Sequence, residues 1–518
     1  MTTAAPSRHA QGTEYEAVIG LEVHSQVLTK SKMFCGCSSD YVNSPPNTHT
    51  CPVCLGMPGV LPVINRAAVE ATVMTALALN CTISPFSKFD RKNYPYPGLM
   101  KGYQISQYDL PLSRNGWLEI EVDGQRRRAG ITRVHLEEDT AKLSHKNDGT
   151  EDYSLVDVNR AGTQLMEIVG EPDLRSPEEA RQYLVKLHAI LQYIGVSTAN
   201  MEDGAFRCDA NVSVRPKGST SYGAKVEVKN MNSFRSVFRA LEYEVKRQSE
   251  ALRKGERIAQ ETRGWVETKG VTVSQRSKEH AHDYRYFPEP DLPPMRVSVE
   301  WIEELRARLS ELPDARRDRF EREYGLPHYD ADLLTASKAM ADFFEAAVKS
   351  SPDRQKRAKA AGNWMLGEFS RLLNAASIEA QQATSMPPDA AASLALHVFK
   401  QTKLTSQGLA ALLDLLDNGT IGGPAAKAVF EEMFKTGKAP DQVVKEQGLT
   451  QISDTLALEA AADQAIAANP QAVQDYVKGK ETAIKFLVGQ VMKATRGRAE
   501  PNLVTDILKR KLQQKAGG

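Results

Sequence analysis

A proline-dense segment divides this chain into two parts with different patterns of apolar residues. The segment YFPEPDLPP, Tyr286–Pro294, carries four prolines in nine residues. Proline fixes φ and removes a backbone donor, so neither a helix nor a central strand continues through it. Before it, short β-prone runs alternate with turn signals, and after it apolar residues recur with helical spacing. This pattern excludes an all-β or an all-α chain and predicts an α+β part followed by an all-α part.

The part before the prolines, residues 15–295, is predicted to be one α+β domain on a largely antiparallel sheet. Alternation of polar and apolar residues places successive side chains on opposite faces of a strand. The clearest alternating runs are YEAVIGLEVHSQV, GITRVHLEED, RCDANVSVRP and AKVEVKN. A long helix interrupts them at SPEEARQYLVKLHAILQYIG, where Ser176 is placed to cap the helix and Glu179 to complete a capping box.

The rest of the chain is predicted to be helical, because 518 residues are too many for a single hydrophobic core. We expect a helical domain over residues 296–448 and a small helical tail domain over residues 449–518. Apolar stripes mark the last two helices, and they are Ile484, Leu487, Val488, Val491 and Met492, then Leu503, Val504, Ile507, Leu508 and Leu512. Residues 1–14 are expected to form a mobile extension.

The charge balance and the cysteine content limit the possible partners and the compartment. With 66 basic and 65 acidic residues, the net charge of +1 excludes a uniformly basic coat but permits local basic patches. No run approaches about 20 consecutive apolar residues, and the N-terminus lacks the apolar core of a signal peptide. The chain is therefore expected to be cytoplasmic and to have no membrane partner. In such a chain, six cysteines indicate reduced thiols or metal ligands.

Four of the six cysteines form two close pairs that are separated by thirteen residues. They are Cys35, Cys37, Cys51 and Cys54. Four thiolates at this spacing can surround a tetrahedral Zn²⁺ and leave no open position, so the prediction is a structural zinc site. The alternatives are four ordinary buried cysteines, or a site in which His49 replaces one ligand. Cys81 and Cys208 are expected to pack as small hydrophobic side chains.

Acidic side chains recur on the predicted strands. Alternation directs Glu22 and His24 to one face of the first run and Glu227 to one face of the last. Further acidic residues occur in His135–Asp139 and Arg207–Asn211. Carboxylates on one face repel one another unless a cation lies among them, and Mg²⁺ is the candidate because it prefers carboxylate oxygens. The alternative is that these residues are the solvated edges of a sheet.

Basic residues near the same runs are candidates for binding a polyphosphate. They are Arg91, Lys92, Lys101, Arg207, Lys225 and Lys229. The chain contains no P-loop motif, so phosphates would have to be held by such side chains together with Mg²⁺.

Long motifs in a fixed order resemble one known family. They are GLEVH, CPVCLGMPG, DRKNY, KGYQISQ, DVNRAG, RCDAN, KNMNSF and DYRYFPEP, which span most of residues 15–295. This series resembles the B subunits of tRNA-dependent amidotransferases, and the resemblance continues more weakly through the helical part. It implies a catalytic cradle domain similar in fold to glutamine synthetase, then a helical domain and a tail domain that binds tRNA.

The resemblance also implies a reaction. In this family the B subunit uses ATP to phosphorylate the side-chain carboxylate of glutamyl-tRNA(Gln) or aspartyl-tRNA(Asn). Ammonia, released from glutamine by an amidase A subunit, then displaces the phosphate, and a small C subunit completes the heterotrimer. The chain is therefore expected to act in a carbon–nitrogen ligase with glutamine as amido donor.

Carried over position by position, the resemblance assigns roles to particular residues. The catalytic, Mg²⁺-binding positions are Glu22, His24, Glu137 and Glu227, and the four cysteines match the zinc ligands. Glu138, Asp139 and Asp209 remain neighbouring alternatives for the last two magnesium positions. The resemblance does not assign the phosphate ligands; from the basic residues near these runs, those expected to bind the phosphates of ATP are Arg91, Lys101, Arg207, Lys225 and Lys229.

The tail carries a local excess of basic residues. Those predicted to contact tRNA are Lys485, Lys493, Arg496, Arg498, Lys509 and Arg510. Such residues bind phosphates and position RNA without reading its sequence. A solvated basic helix face is the alternative, but the resemblance favours RNA because the tail domain of this family binds the tRNA body.

Two other functional classes remain open from the sequence. A zinc-containing RNA-binding module without chemistry would explain the cysteines and the basic tail, but not the acidic residues on the strands. A free-standing ligase similar to glutamine synthetase would explain the acidic residues. Because no glutaminase nucleophile is evident in the sequence, such a ligase would need free ammonia or a partner.

Overall fold

The computed structural model describes residues 14–147, 152–201, 203–277, 284–384, 398–399, 401–449, 455–478, 480, 482–495 and 498–516. Residues 1–13 of the predicted extension lie outside this range. The chain forms two compact units, Met1–Pro313 and Asp314–Gly518, and each is described by itself.

The described residues of the first unit form sixteen strands. They are β1 (Tyr15–Gln26), β2 (Thr82–Ile83), β3 (Phe86–Ser87), β4 (Asp90–Asn93), β5 (Tyr103–Ser106), β6 (Ser113–Val122), β7 (Gln125–Glu138), β8 (Lys142–Asn147), β9 (Asp152–Asp157), β10 (Gln164–Gly170), β11 (Phe206–Pro216), β12 (Val226–Lys229), β13 (Glu261–Val266), β14 (Val271–Ser277), β15 (Phe287–Pro288) and β16 (Met295–Arg296). Nine of them form one sheet in the order β14-β13-β12-β11-β1-β10-β7-β6-β2. All neighbours in it are antiparallel except β12 and β13. The predicted α+β class and largely antiparallel sheet are confirmed.

Helices cover one face of this sheet. The helices of the first unit are α1 (Arg66–Ala78), α2 (Pro177–Tyr193), α3 (Phe234–Arg253) and α4 (Val299–Ala307). Strand β1 shows how alternation separates the faces, since Ile19, Leu21 and Val23 are completely buried in the core with apolar residues of α2 and α3. Glu22 and His24 belong to the other face, which we call the open face.

The start of α2 follows its predicted cap only in part. The Ser176 hydroxyl accepts a hydrogen bond from the Glu179 backbone N–H at 3.1 Å, as expected of an N-cap. The Glu179 carboxylate instead accepts from the backbone N–H of Arg175, at 2.7 Å, and from Arg127 at 2.9 Å. The capping box is therefore replaced by contacts that attach the helix to β7.

The proline-dense segment lies on the first unit. Its short strand β15 pairs with β4, and β16 pairs with β3. Helix α4 packs against α1, and this compact unit continues to Pro313. The proposed domain limits at residues 295 and 448 stay predictions.

The chain from Pro313 onward is helical. Its helices are α5 (Pro313–Tyr324), α6 (His328–Thr335), α7 (Lys338–Lys349), α8 (Arg354–Trp364), a π-helical turn (Met365–Phe369), α9 (Ser370–Thr384), α10 (Ser406–Asp417), α11 (Gly423–Thr436), α12 (Pro440–Gln447), α13 (Thr455–Ala468), α14 (Pro470–Val477), α15 (Thr482–Ala494) and α16 (Pro501–Ala516). One apolar cluster extends from Phe320 to Val444, and a separate one from Leu458 to Leu512. The second cluster contains both predicted stripes. Among the described residues, no helix is long and apolar enough to cross a membrane.

Candidate active site

The antiparallel register brings polar side chains into rows across the open face. Residues directly opposite one another on antiparallel strands point to the same face. One row across β7, β10, β1 and β11 consists of His135, Glu167, His24 and Arg207. The adjacent row consists of Arg133, Val169, Glu22 and Asp209.

Three metal-ligating side chains meet on this face. His24 Nε2 lies 3.5 Å from Glu137 Oε1 and 3.8 Å from Glu167 Oε2, and ligand atoms of the three residues lie within 4.8 Å of one another. Ser106 Oγ donates to Glu137 at 3.2 Å, and His135 Nε2 lies 3.1 Å from Glu167. We call His24, Glu137 and Glu167 the metal triad, because two carboxylates and an imidazole from adjacent strands are a donor set for a divalent cation.

Neighbouring basic groups lower the pKa of the Glu167 carboxylate. Burial alone would raise the pKa of Glu167, but His135, His24 and Lys92 outweigh burial and hold that pKa below its ordinary value. Burial alone would lower the pKa of Lys92, because it disfavours the charged ammonium. Glu137 and other neighbouring negative groups instead raise that pKa above its ordinary value. The open face thus contains charged donors for a cation.

The four predicted magnesium ligands divide into two pairs. His24 and Glu137 belong to the triad, whereas Glu22 accepts from Asn211 at 2.8 Å and Glu227 accepts from Thr262 at 2.8 Å. Within the described residues, the group of close ligand atoms does not include Glu22 or Glu227. Glu22 lies in the row next to that of His24, and Glu227 lies opposite Asn211 in the row beyond it. Their role as ligands stays a prediction.

The three alternative acidic residues each face a cation. Glu138 pairs with Lys101. Asp139 accepts from Arg207 at 3.0 Å, and Asp209 accepts from Lys229 at 2.6 Å. Because their charges are already compensated, they are poorer candidates for a cation than the triad.

Most of the predicted phosphate ligands form ion pairs with carboxylates. Arg91 forms a bidentate pair with Glu289 at 2.7 and 2.8 Å, and Lys101, Arg207 and Lys229 are paired as just described. Lys225 is exposed and precedes β12. Lys92 lies 5.7 and 5.2 Å from the ring centroids of Tyr94 and Tyr284. Phosphate binding by these residues stays a prediction, and four of the five would have to release a carboxylate.

Glu167 is the candidate ligand that the sequence did not reveal. It is the single acidic residue in QLMEIVG, the run that forms β10. An acidic residue inside an otherwise apolar strand is a signal, because a buried carboxylate needs a partner. The pairing of β10 between β1 and β7 identifies its partners as His24 and His135.

The four predicted zinc ligands also come together. Their sulfur atoms lie within 4.8 Å of one another, and Cys51 Sγ and Cys54 Sγ are 3.9 Å apart. A tetrahedral site with Zn–S bonds of about 2.3 Å requires sulfur atoms about 3.8 Å apart, so the cluster fits zinc. His49 is outside this group, and its Nε2 lies 2.8 Å from Ser44 Oγ. Cys81 and Cys208 are buried in the core as predicted.

Interactions within the thiol cluster change the pKa values of its cysteines. The hydrogen bond with Cys35 lowers the pKa of Cys54 to about 4, and the nearby Lys32 contributes. The same hydrogen bond, together with burial, raises the pKa of Cys35, and burial raises the pKa of Cys37 to about 11. One thiolate therefore forms readily at Cys54, and a bound cation would favour the others.

The predicted tRNA contacts of the tail differ in exposure. Lys485, Lys493 and Lys509 are exposed. Arg510 pairs with Glu459, and Arg498 donates to the backbone carbonyl of Gly448 at 3.2 Å. Arg496 lies outside the described residues.

Fold and site together define the class: a large α+β protein with a metal triad on an open sheet face, a four-thiol cluster and a helical C-terminal part. Comparison with known proteins agrees. A family model described as the GatB/GatE catalytic domain matches residues 17–303, and one described as the GatB domain matches residues 342–512.

Full-length relatives identify the family more narrowly than the two domain matches do. In three bacteria, proteins named as the B subunit of aspartyl/glutamyl-tRNA(Asn/Gln) amidotransferase match this chain. The relative from Moorella thermoacetica is 57% identical over 499 residues, covering 96% of this chain and 100% of its own length. The relative from Carboxydothermus hydrogenoformans is 56% identical over 502 residues (96% and 99%), and that from Dehalococcoides mccartyi 55% over 507 residues (97% and 100%). The chain belongs to this family of amidotransferase B subunits, which confirms the resemblance seen in the sequence.

Proposed function

We propose that this chain uses ATP to activate the side-chain carboxylate of Glu-tRNA(Gln) or Asp-tRNA(Asn) for amidation. The observation that carries the proposal is the metal triad on the open face of the sheet, in a family named for amidotransfer on these tRNAs. The glutamine-synthetase-like cradle implied by the sequence is part of the same proposal. The products would be Gln-tRNA(Gln) and Asn-tRNA(Asn).

The chemistry requires two displacements. A carboxylate oxygen attacks the terminal phosphorus of ATP, the bond to the bridging oxygen breaks, and ADP leaves. Ammonia then attacks the carbonyl carbon of the acyl phosphate, the bond between carbon and the phosphate oxygen breaks, and inorganic phosphate leaves with formation of the amide. The protein has to position the reactants and compensate negative charge, which is how phosphoryl transfer is generally catalysed.

The residues of the open face fit these tasks. His24, Glu137 and Glu167 would hold Mg²⁺, with Glu22 and Glu227 as further proposed ligands on the same face. When bound, Mg²⁺ supplies charge compensation for the phosphate oxygens. Arg91, Lys101, Arg207, Lys225 and Lys229 remain the proposed phosphate ligands, and each paired one would exchange a carboxylate for a phosphate.

The remaining features would serve assembly and substrate binding. The four cysteines would hold a structural zinc ion. The exposed lysines of the tail would contact the tRNA backbone. Ammonia would come from glutamine through an amidase A subunit, in a cytoplasmic heterotrimer completed by a small C subunit.

The proposal is tested by following phosphate release from ATP labelled in its terminal phosphate. The chain is assembled with the A and C subunits and given Glu-tRNA(Gln) without glutamine. Without ammonia, water hydrolyses the acyl phosphate, so we expect phosphate release that requires the charged tRNA and is lost in Glu22→Ala and His24→Ala. No release from a complex that still binds tRNA would leave the chain a docking subunit, and release that does not need tRNA would contradict activation of an aminoacyl-tRNA.

A further inference from the structure

Unlike most cations of the open face, Arg133 contacts no carboxylate in the described residues. In the part of the chain that the structure describes, its Nε is buried without a hydrogen-bond partner, and its guanidinium forms no ion pair. Arg91, Lys101, Arg207 and Lys229, by contrast, all contact carboxylates. A buried donor that stays unsatisfied is costly, so an unpaired guanidinium in a site indicates a ligand group.

The position of Arg133 points its side chain toward the site. On β7 it precedes His135 by two residues and Glu137 by four, so all three share the open face. Across the sheet it lies opposite Val169, which in turn lies opposite Glu22. Arg133 therefore belongs to the row next to the one that carries His24 and Glu167.

A second arginine lies beside it. Arg114 on β6 is directly opposite Arg133, and like charges in that arrangement destabilise a sheet. Arg114 is exposed and donates to the backbone carbonyl of Asp109, whose carboxylate pairs with Lys88. An anion bound between or above the two guanidinium groups would remove the repulsion.

Tyr286 is within electrostatic range of both Arg133 and Lys92. Burial raises the pKa of Tyr286 to about 12, while Lys92 and Arg133 both act to lower it. Tyr286 stacks on Tyr108 with ring centroids 4.2 Å apart. Glu137 and Glu167 of the metal triad act on the same tyrosine, so Arg133 lies close enough to the triad to share a ligand with it.

We propose that Arg133 binds a substrate oxyanion, with two of its oxygens on the guanidinium fork and the metal triad on the same face. A fork of this kind matches either a phosphate of ATP or the side-chain carboxylate of the aminoacyl-tRNA. The inference rests on the proposed function, because it takes both candidate anions from that reaction.

Equilibrium binding tests it independently of turnover. Arg133→Gln and Arg133→Lys are compared with wild type in the assembled complex, using ATP with Mg²⁺, Glu-tRNA(Gln) and uncharged tRNA(Gln). Charge-assisted hydrogen bonds are worth enough that Arg133→Gln should weaken one ligand about ten- to hundredfold. Arg133→Lys should recover part of the loss, because it keeps the charge without the fork. Arg128→Gln, an exposed arginine that stacks on Trp117 on the neighbouring strand, is the matched control.

The outcomes separate the two sources of the anion. Weaker ATP binding with unchanged tRNA binding identifies a phosphate. A loss for Glu-tRNA(Gln) but not for uncharged tRNA identifies the carboxylate. If both affinities equal those of wild type and Arg128→Gln, the inference is overturned, even where wild type releases phosphate normally. Absence of phosphate release in wild type would instead refute the proposed function.

Discussion

Individual side chains of the open face differ in how their charges are compensated. The cations predicted to bind phosphate mostly face carboxylates, whereas Glu137 and Glu167 are held by Ser106 and His135 and keep ligand atoms directed at His24. What distinguishes Glu137 and Glu167 is that their ligand atoms converge with that of His24. At the residue scale this convergence favours Glu167 as a functional group.

Replacing Glu167 tests that assignment. Glu167→Gln keeps the shape of the side chain but removes a negative ligand, so the Mg²⁺ concentration for half-maximal phosphate release should rise at least about tenfold. Glu171→Gln is the control, because Glu171 is exposed and follows the same strand. Equal Mg²⁺ dependence of both variants would contradict a ligand role for Glu167.

His188 provides a prediction about acid stability. Burial lowers the pKa of His188 to about 4, and the ring packs edge-on against Phe234 at 5.4 Å. The unfolded chain, with an ordinary pKa of about 6.5, binds a proton that the native state rejects. The contribution of His188 to the free energy of unfolding is therefore fully present above pH 6.5. It is lost as the pH falls toward 4, by about 2 kcal/mol at pH 5.

The measurement is urea unfolding as a function of pH. Between pH 6.5 and 4, the free energy of unfolding of His188→Phe should fall less than that of wild type, because phenylalanine cannot take up a proton. His145→Gln, at an exposed histidine of β8, should decline like wild type. A His188→Phe curve parallel to that of wild type would show that His188 titrates alike in both states.

At the element scale, the turn after the second cysteine pair packs against the segment that carries Lys101. Gly56 adopts a φ of +66°, and a Cβ there would lie 2.9 Å from Lys101 Cα and 2.6 Å from its Cγ. The turn and Lys101 are therefore in backbone contact, and Lys101 pairs with Glu138 next to the triad residue Glu137. A distortion of the thiol cluster would therefore reach the metal triad through this contact.

A matched pair of glycine variants tests the contact. Gly56→Ala and Gly59→Ala both place a side chain at positive φ, which costs on the order of 1 kcal/mol. Only Gly56→Ala adds a clash, since nothing lies within 4 Å of a Cβ at Gly59. We expect Gly56→Ala to lower the free energy of unfolding by about 1–3 kcal/mol more than Gly59→Ala. Equal losses in thermal and urea unfolding would show that the turn is free to move.

For the whole molecule, the tail has its own hydrophobic cluster. Within the compact unit Asp314–Gly518, the cluster from Leu458 to Leu512 is separate from the one that ends at Val444. Removing residues from about 450 onward should leave the unfolding transition of the rest unchanged and weaken tRNA binding. Unchanged tRNA affinity in the truncated complex would contradict a binding role for the tail.

A charge variant separates the effect of the basic side chains on tRNA binding from the effect of removing the whole tail. Lys485, Lys493 and Lys509 are exposed, so changing all three to Gln should preserve the fold. The slope of tRNA affinity against salt should fall by about one for each phosphate contact removed. Lys511→Gln is the comparison, because Lys511 already pairs with Asp463 at 2.8 Å.

The sequence alone determined the features that depend on local pattern or on complete motifs. Alternation in GLEVH and HLEED identified strands and the shared face of Glu22 and His24, and helical stripes identified the last two helices of the tail. Cysteine spacing identified all four members of the thiol cluster. These inferences succeed because the face of a strand, the stripe of a helix and a short ligand loop are properties of neighbouring residues.

Only the tertiary structure decided which side chains meet. Glu167 joins His24 and Glu137 because β10 lies between β1 and β7 in one particular register. The same packing pairs Arg91 with Glu289, 198 positions away in the chain, and leaves Arg133 without a partner in the described residues. Register and long-range pairing are set by the burial of the whole sheet, so no local pattern in β10 or β7 contains them.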